Sequence, residues 1–390
     1  MFFTDFARKP TLLILAMATL EASSAKAAPA GQDDIAKFDP RMAVANAITD
    51  ENGVQWIDGR FLPIDGRAFD DTEHYYDRLP SNVTEKVNAG VRDMKHHTAG
   101  MQFRFVTDSK RLRVKWVPYG TNLAMDHMPS TGVSGLDFYR QATDGAWQYV
   151  ATGRITNPAG GVAEVPWTPG TPCIINLPLY NGVKSFSLGI DPGASVAALP
   201  LRSSGVEKPV VFYGTSITHG GCASRPGLSF VNIVGRDLDV PVVNLGFSGS
   251  GWMEFEMSEH LAAIDASCYV LDCLWNMCAR KADDTRPRSF EENYEPFIRN
   301  LRAKRPDVPI VMAEMCDVFC GGPNDKDIRL RALYEKLVAE GWKKLYYLPK
   351  TSMYSGDRDG TVDGCHPNDL GMRSLADAFG KSVKDALEIK

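Results

Sequence analysis

The chain has 390 residues, of which 44% are hydrophobic and 23% are charged, and its formal net charge is −5. These proportions are typical of a globular protein, and the length suits about two or three domains. A nucleic-acid partner usually requires a basic surface, so the negative charge and the lack of a Lys/Arg run argue against one.

The first residues have the pattern of an export signal. Arg8 and Lys9 precede an apolar run at 11–20, and Ala25-Lys-Ala27 supplies small residues suited to a cleavage site. The run is shorter than the roughly 20 residues that span a bilayer. We therefore expect a signal peptide at residues 1–27 and a secreted or periplasmic mature chain that does not insert into a membrane. An uncleaved N-terminal anchor is the alternative.

The eight cysteines fit an oxidising compartment. Four of them lie in predicted loops after strands: Cys222, Cys278, Cys320 and Cys365. We expect one or two disulfides among these four. Cys268 and Cys273 lie in a strand pattern and are expected to be buried thiols. Because the chain has no Cys-x-x-Cys pair and its histidines are scattered, we expect no metal site and no cofactor.

The N-terminal half alternates apolar and polar side chains from about residue 55 to 200. Clear examples are 101–107, 111–117 and 184–190. Period-2 alternation between Gly, Pro and Asp turns predicts antiparallel sheets with one buried face. We expect a β-sandwich, jelly-roll-like, within residues 28–200. Residues 192–208 follow neither strand nor helix periodicity and are predicted to be a linker.

The C-terminal half, residues 201–390, alternates apolar segments with helical patterns. The apolar segments are 209–213, 241–245, 268–275, 308–313 and 344–348. The helical patterns include 290–301, 328–337 and 370–387. Apolar strands that alternate with helices predict a doubly wound parallel sheet covered on both faces, hence an α/β domain. Ligands of such sheets bind outside the carboxyl ends of the strands.

Three candidate site residues follow predicted strands at that edge. Ser216 comes after the first strand, Gly249 after the second and Asn276 at the end of the third. A serine hydroxyl is a potential nucleophile, and a backbone N–H at Gly249 and the Asn276 amide can donate to an oxyanion. Each residue alone is equally typical of an ordinary turn.

Asp363 and His366 stand three residues apart near the C-terminus. In one turn, the carboxylate can hold the imidazole while the other ring nitrogen takes the serine proton. His219 lies three residues after Ser216 and is the rival base, but no acid is spaced to orient it. His260 lies in a helical pattern. We expect His366 to be the base.

These segments resemble the SGNH (GDSL-type) hydrolases in order and spacing, over about residues 209–390. The resemblance covers Gly214-Thr-Ser216-Ile, Phe247-Ser-Gly249, the segment ending at Asn276, and Asp363 to His366. It implies that Ser216 is the nucleophile and that the Ser216 N–H, the Gly249 N–H and the Asn276 amide form the oxyanion hole. Thr215 stands where many members have Asp.

The segment Gly135-Leu-Asp-Phe-Tyr139 resembles the Gly-x-Asp-Leu-Tyr signature of a bacterial subgroup with a β-sandwich before the hydrolase domain. Members are often linked to removing ester groups from polysaccharides. The resemblance thus implies an exported serine esterase acting on a small-molecule or polysaccharide ester. Trp275, beside the expected oxyanion hole, favours a short, acetyl-like acyl group. Phe138, Tyr139 or Trp147 are candidates to stack on sugar, although a core role is the more common fate of such residues.

Two alternatives remain at this point. One is a lipase, thioesterase or arylesterase that uses the same three side chains. The other is a glycan-binding protein in which the β domain dominates and the hydrolase site is vestigial. The sequence leaves the oligomeric state open.

Overall fold

The computed structural model describes residues 46–277, 289–316, 322–353 and 357–390. Two antiparallel sheets are followed by one parallel sheet. The expected fold class is confirmed: an antiparallel β domain precedes an α/β domain with a doubly wound sheet. The predicted signal peptide lies outside the described residues.

The first antiparallel sheet has five strands and the second has six. The first contains β1 (Ile48–Thr49), β2 (Gln55–Asp58), β5 (Arg111–Pro118), β8 (Gly161–Pro166) and β10 (Val183–Ile190). The second contains β3 (Ile64–Asp65), β4 (Gln102–Thr107), β6 (Leu136–Gln141), β7 (Trp147–Gly153), β9 (Pro172–Asn176) and β11 (Val196–Ala198). Their orders are β1-β2-β10-β5-β8 and β11-β4-β9-β6-β7, with β3 paired to β4. Helices α1 (Ala89–Met94) and α2 (Ser130–Val133) lie in the connections.

The core of this domain forms where alternating side chains turn inward. In β5, every second residue is buried, and Trp116 stands opposite Phe186 of β10. The Phe186 ring packs on Phe103 of β4, with 4.4 Å between ring centroids. Burying a large apolar side chain contributes about 1.5–3 kcal/mol, so these aromatic residues hold the two sheets together.

Part of the predicted linker is a strand. Within 192–208, β11 pairs with β4, with Val196 opposite Thr107 and Ala198 opposite Phe105. A three-residue strand is too short for period-2 alternation to be visible in the sequence. The predicted domain boundary at residues 200 and 201 stays a prediction.

The parallel sheet has five strands close to the predicted segments. They are β12 (Val210–Gly214), β13 (Val242–Gly246), β14 (Cys268–Asp272), β15 (Ile310–Ala313) and β16 (Leu345–Leu348). β14 is shorter than predicted because the chain turns after Asp272, where the Asn276 N–H donates to the Cys273 carbonyl at 3.0 Å.

Helices cover both faces of this sheet. They are α3 (Ser216–His219), α4 (Phe230–Asp237), α5 (Phe255–Ala263), α6 (Phe290–Lys304), α7 (Asp325–Ala339) and α8 (Asp369–Leu387). Val211 and Tyr213 of β12 pack in the cluster with α5, α6 and α7, whereas Val210 and Phe212 pack with α4 and α8. Among the helices of the described ranges, none is both long and apolar enough to cross a membrane.

Strand order brings three loops to one place. In the order β13-β12-β14-β15-β16, β13 lies on one side of β12 and β14 to β16 lie on the other, so the winding direction reverses beside β12. Gly214 at the end of β12 is level with Gly246 of β13 and with Asp272 of β14. The loops after these strands therefore meet at the switch point, where open parallel sheets bind their ligands.

Candidate active site

Ser216 begins α3 directly after β12. Thr215 caps the helix, with its hydroxyl accepting from the Ile217 N–H at 3.2 Å. The first N–H groups of a helix have no acceptor within the helix, so the Ser216 N–H is suited to a bound oxyanion. Ser216 is 8% exposed and is therefore largely buried at the switch point.

A chain of hydrogen bonds joins Ser216 to His366 and Asp363. The Ser216 Oγ lies 2.9 Å from His366 Nε2, and His366 Nδ1 lies 2.7 Å from Asp363 Oδ2. Asp363 Oδ1 also accepts from the backbone N–H groups of Cys365 (2.9 Å) and His366 (2.7 Å). The carboxylate therefore fixes both the ring and the turn that carries the ring.

The hydrogen bonds at Asp363 also keep it ionised. Partial burial raises its pKa, but the bonds from the His366 ring, the His366 N–H and the Cys365 N–H outweigh burial and lower the pKa to about 2. An ionised carboxylate on Nδ1 sets the ring tautomer so that Nε2 is the acceptor for the serine proton.

The two other predicted oxyanion donors lie in the loops after β13 and β14. Gly249 has a φ of 67° in an exposed turn, and an added Cβ would meet nothing within 4 Å, so glycine is required there by conformation. Asn276 accepts from the Gly251 N–H through Oδ1 at 3.2 Å. That bond joins the loops after β13 and β14 and leaves the Asn276 Nδ2 group as a donor.

The rival base His219 is buried away from this chemistry. Its ring stacks on Tyr180, with 4.1 Å between ring centroids, and its Nε2 lies 3.2 Å from His97 Nδ1. Burial first, then the charge of Arg78, lowers the pKa of His219 well below its ordinary value. His219 is therefore a neutral packing residue.

Arg78 reaches across from the β domain to support the site, and no sequence pattern predicted this role. Its Nη1 donates to the carbonyls of Gly246 (2.7 Å) and Asn244 (3.2 Å), and its Nη2 donates to Met94 O at 2.8 Å. The guanidinium also lies over the Phe247 ring. Burial lowers the pKa of Arg78 to about 9, so it stays charged at neutral pH. A contact between residues 166 or more positions apart leaves no local sequence pattern.

The Gly-x-Asp-x-Tyr segment joins the two domains. Asp137 is fully buried, and its Oδ2 accepts from the Gly227 N–H and from Arg225 Nη1, both at 2.8 Å. Phe138 is buried in the β-sandwich core, and Tyr139 is 4% exposed. Neither aromatic ring is placed to stack on a sugar.

Trp275 is held beside the candidate oxyanion donor Asn276. Its indole N–H donates to the Cys316 carbonyl, and its ring packs between the clusters on the two faces of the sheet. The ring is therefore a fixed wall next to Asn276.

The disulfide predicted among cysteines of the site loops is not formed within the described residues. Cys222 and Cys365 are both thiols, and the Cys222 N–H donates to the Pro367 carbonyl at 2.8 Å. Cys222 packs in an apolar cluster instead of bridging the loops. Cys278 and Cys320 lie outside the described residues. Cys268 and Cys273 are buried thiols, as expected.

Two family models match the chain, one for each domain. Residues 207–384 match the GDSL-like lipase/acylhydrolase family. This match covers most of the C-terminal half of the chain. Residues 54–196 match the family described as the N-terminus of SGNH-hydro-type esterases, so the resemblance inferred from the sequence is confirmed. Among curated proteins, no match was found.

Solved structures share the two-domain fold. A protein described as a GDSL-like lipase from Bacteroides ovatus has 27% identity and a TM-score of 0.73, covering 86% of this chain and 99% of that chain. A salicylyl-acyltransferase from a tetracycline biosynthetic pathway has 17% identity and a TM-score of 0.67, covering 86% and 99%. A family two carbohydrate esterase from Clostridium thermocellum, in complex with cellohexaose, has 14% identity and a TM-score of 0.54, covering 75% and 94%. The family match and the Bacteroides ovatus structure support a general ester hydrolase.

Proposed function

We propose that this protein is an exported serine esterase that removes short acyl groups, chiefly acetyl, from carbohydrate. The observation that carries the proposal is the chain of hydrogen bonds from Ser216 through His366 to Asp363. These are the nucleophile, base and orienting acid that acyl transfer requires. The reaction needs no metal or cofactor.

In the proposed reaction, His366 Nε2 takes the Ser216 proton as Oγ attacks the ester carbonyl carbon. The resulting oxyanion accepts hydrogen bonds from the Ser216 N–H, the Gly249 N–H and the Asn276 amide. Each such donor is typically worth about 3 kcal/mol of barrier lowering. His366 then protonates the departing alcohol, and water activated by His366 hydrolyses the acyl-enzyme.

Two observations support a short acyl group on a large alcohol. The Trp275 ring is held by its hydrogen bond next to Asn276, and we expect it to limit the room for a long acyl chain. The proposed acid and base reach the surface, since the side chains of Asp363 and His366 are 39% and 23% exposed. This exposure is compatible with an ester group on a polymer, and the fold is shared with carbohydrate esterases.

Export is proposed from the sequence. Arg8 and Lys9, the apolar run at 11–20 and the small residues Ala25 and Ala27 together have the pattern of a cleaved signal peptide. N-terminal sequencing of the protein recovered from outside the cytoplasm should begin close to residue 28. An intact Met1 on the exported protein would contradict cleavage.

Measurement of the released acid tests the proposed substrate. Acetylated polysaccharides should release acetate with the wild-type protein and none with Ser216→Ala. On p-nitrophenyl esters, we expect turnover of acetate to exceed that of octanoate by at least about 10-fold, since one misfit methylene already costs about 1–3 kcal/mol in a tight pocket. Equal turnover of both esters would contradict the acetyl preference.

The same assays separate the alternatives. A lipase or thioesterase would prefer long chains or thioesters, and an arylesterase would follow the phenol leaving group. A glycan-binding protein would retain polysaccharide without releasing any acid, in the wild type as in Ser216→Ala.

A further inference from the structure

Three metal-ligating side chains from separate segments converge beside the nucleophile. His127 comes from the loop before α2 of the β domain, Cys222 follows α3, and His366 is the proposed base. One ligand atom from each lies within 4.8 Å of the other two. The rings of His127 and His366 have centroids 5.7 Å apart.

His366 already has the outer contacts of a metal-bound histidine. Its Nδ1 is 2.7 Å from Asp363 Oδ2, which leaves Nε2 as the nitrogen that can donate an electron pair. Histidines that bind metals almost always donate the other ring N–H to a carboxylate or carbonyl, because this fixes the tautomer and strengthens the ligand. Proton abstraction and metal binding therefore need the same geometry at His366.

The ligand set suits a thiophilic divalent ion. Two imidazole nitrogens and one thiolate sulfur are ligands of Zn²⁺, at bond lengths of about 2.0 Å and 2.3 Å. Such bonds place the ligand atoms about 3.5 Å apart. The ligand atoms here lie within 4.8 Å of one another, so they must approach by about 1 Å at most. His127 is exposed and is free of the core packing that holds Cys222, so its rotation can supply this movement.

The local charge also favours a cation. The Asp363 carboxylate is hydrogen-bonded to His366 Nδ1 at 2.7 Å, so a cation bound to His366 Nε2 lies near a negative charge. A divalent ion also stabilises the thiolate form of a cysteine ligand.

We propose that a thiophilic divalent cation of the Zn²⁺ type binds across the two domains at His127, Cys222 and His366, and reversibly switches off the proposed esterase. On binding, the Cys222 thiol releases one proton to solvent. His366 Nε2 exchanges its hydrogen bond to Ser216 for a metal bond, and Ser216 keeps its proton. The base is then unavailable. The scattered histidines of the sequence predicted no metal site, but folding brings His127 and His366 next to Cys222.

Binding is tested first, without any use of activity. Full-length protein titrated with Co²⁺ should develop a near-ultraviolet thiolate-to-cobalt absorption band with one ion bound per chain. Cys222→Ser should abolish the band, and His127→Ala should weaken binding by at least about 10-fold, as the loss of a ligand requires. Cys365→Ser is the matched thiol control and should retain the band.

A second group of ligands, Glu73, His74 and His96, needs its own control. His74→Ala removes one of its members and should leave the thiolate band unchanged. A band that survives in Cys222→Ser, a band lost in Cys365→Ser, or no band in the wild type would each overturn the proposed site.

The switch itself rests on the proposed esterase function and is tested second. Zn²⁺ should inhibit hydrolysis of p-nitrophenyl acetate, and EDTA should restore it. With each variant normalised to its own metal-free rate, the inhibiting Zn²⁺ concentration should rise at least about 10-fold in Cys222→Ser and in His127→Ala. Equal inhibition of all variants would overturn the switch. A cobalt band in a protein without esterase activity would instead refute the proposed function and leave the metal site standing.

Discussion

At the residue scale, one turn carries both the proposed acid and the proposed base. Asp363 binds the His366 ring and two N–H groups of its own turn, and the Thr361 hydroxyl donates to the His366 carbonyl at 2.8 Å. The ring therefore meets Ser216 in a fixed orientation. Preorganisation of this kind is what allows a weak nucleophile such as serine to react.

Asp363→Asn tests the role of the carboxylate charge. We expect kcat for p-nitrophenyl acetate to fall by about 100-fold or more with little change in KM, because a neutral amide neither sets the tautomer nor stabilises the imidazolium. Steady-state kinetics measure this. The control is Asp359→Asn, an exposed carboxylate in the same loop. Full activity in Asp363→Asn would refute the assigned role.

Sequence patterns predicted the residues of the proposed reaction but not the residues that support them. The spacing of Asp363 and His366 is local, and Ser216, Gly249 and Asn276 each follow a recognisable strand. Arg78, His127 and Cys222 gain their roles only when distant segments fold together. The rejection of His219 needed the structure for its physical reason, which is burial against Tyr180.

At the element scale, the end of β14 buries a carboxyl group below the site. Asp272 accepts from the Thr218 hydroxyl at 2.7 Å, and burial raises its pKa to about 7. Because the folded-state pKa lies above the unfolded value, the folded protein binds the extra proton. The contribution of Asp272 to the free energy of unfolding is therefore greatest at low pH, falls as pH rises from about 4 to 7, and is constant above that.

Asp272→Asn should remove this pH dependence. Between pH 4 and pH 8 the free energy of unfolding of the wild type should fall relative to the variant, by at most about 4 kcal/mol. Urea denaturation at several pH values measures the difference. Asp144→Asn, in an exposed turn, is the control. Parallel pH profiles of the wild type and Asp272→Asn would contradict the account of a buried, protonated carboxyl group.

Elements were predictable where they are long or apolar throughout. The segments that became β12, β13, β15 and β16 are within one or two residues of their predicted bounds. β14 ended early because a turn closes after Asp272, and β11 was hidden in the predicted linker because three residues show no period. The short helix α3 was also missed, since four residues carry no helical pattern.

At the scale of the whole molecule, the β domain supports the loops of the proposed active site. Arg78 holds the end of β13, Asp137 binds the loop after α3, and Asn88 donates to Glu254 at 2.7 Å. These buried polar contacts join the domains into one unit. The β domain thereby positions the loop that carries Gly249.

Arg78→Met tests this coupling. The loss of donors to the Gly246 and Asn244 carbonyls should let the Gly249 loop relax, so kcat should fall at least about 10-fold while KM changes little. Arg78→Lys should restore part of kcat. Arg111→Met, an exposed arginine of the same domain, is the control. An equal loss of kcat in Arg111→Met, or none in Arg78→Met, would contradict the positioning role.

The central claim is that Ser216 is the nucleophile activated by His366. Its most direct test is reaction with a fluorophosphonate, followed by peptide mass spectrometry and residual esterase activity. We predict one label per chain, located on Ser216, with loss of activity in proportion to labelling. The label should be absent from Ser216→Ala and greatly slowed in His366→Ala. Labelling of another residue, or esterase activity at the parent rate in Ser216→Ala, would contradict the account.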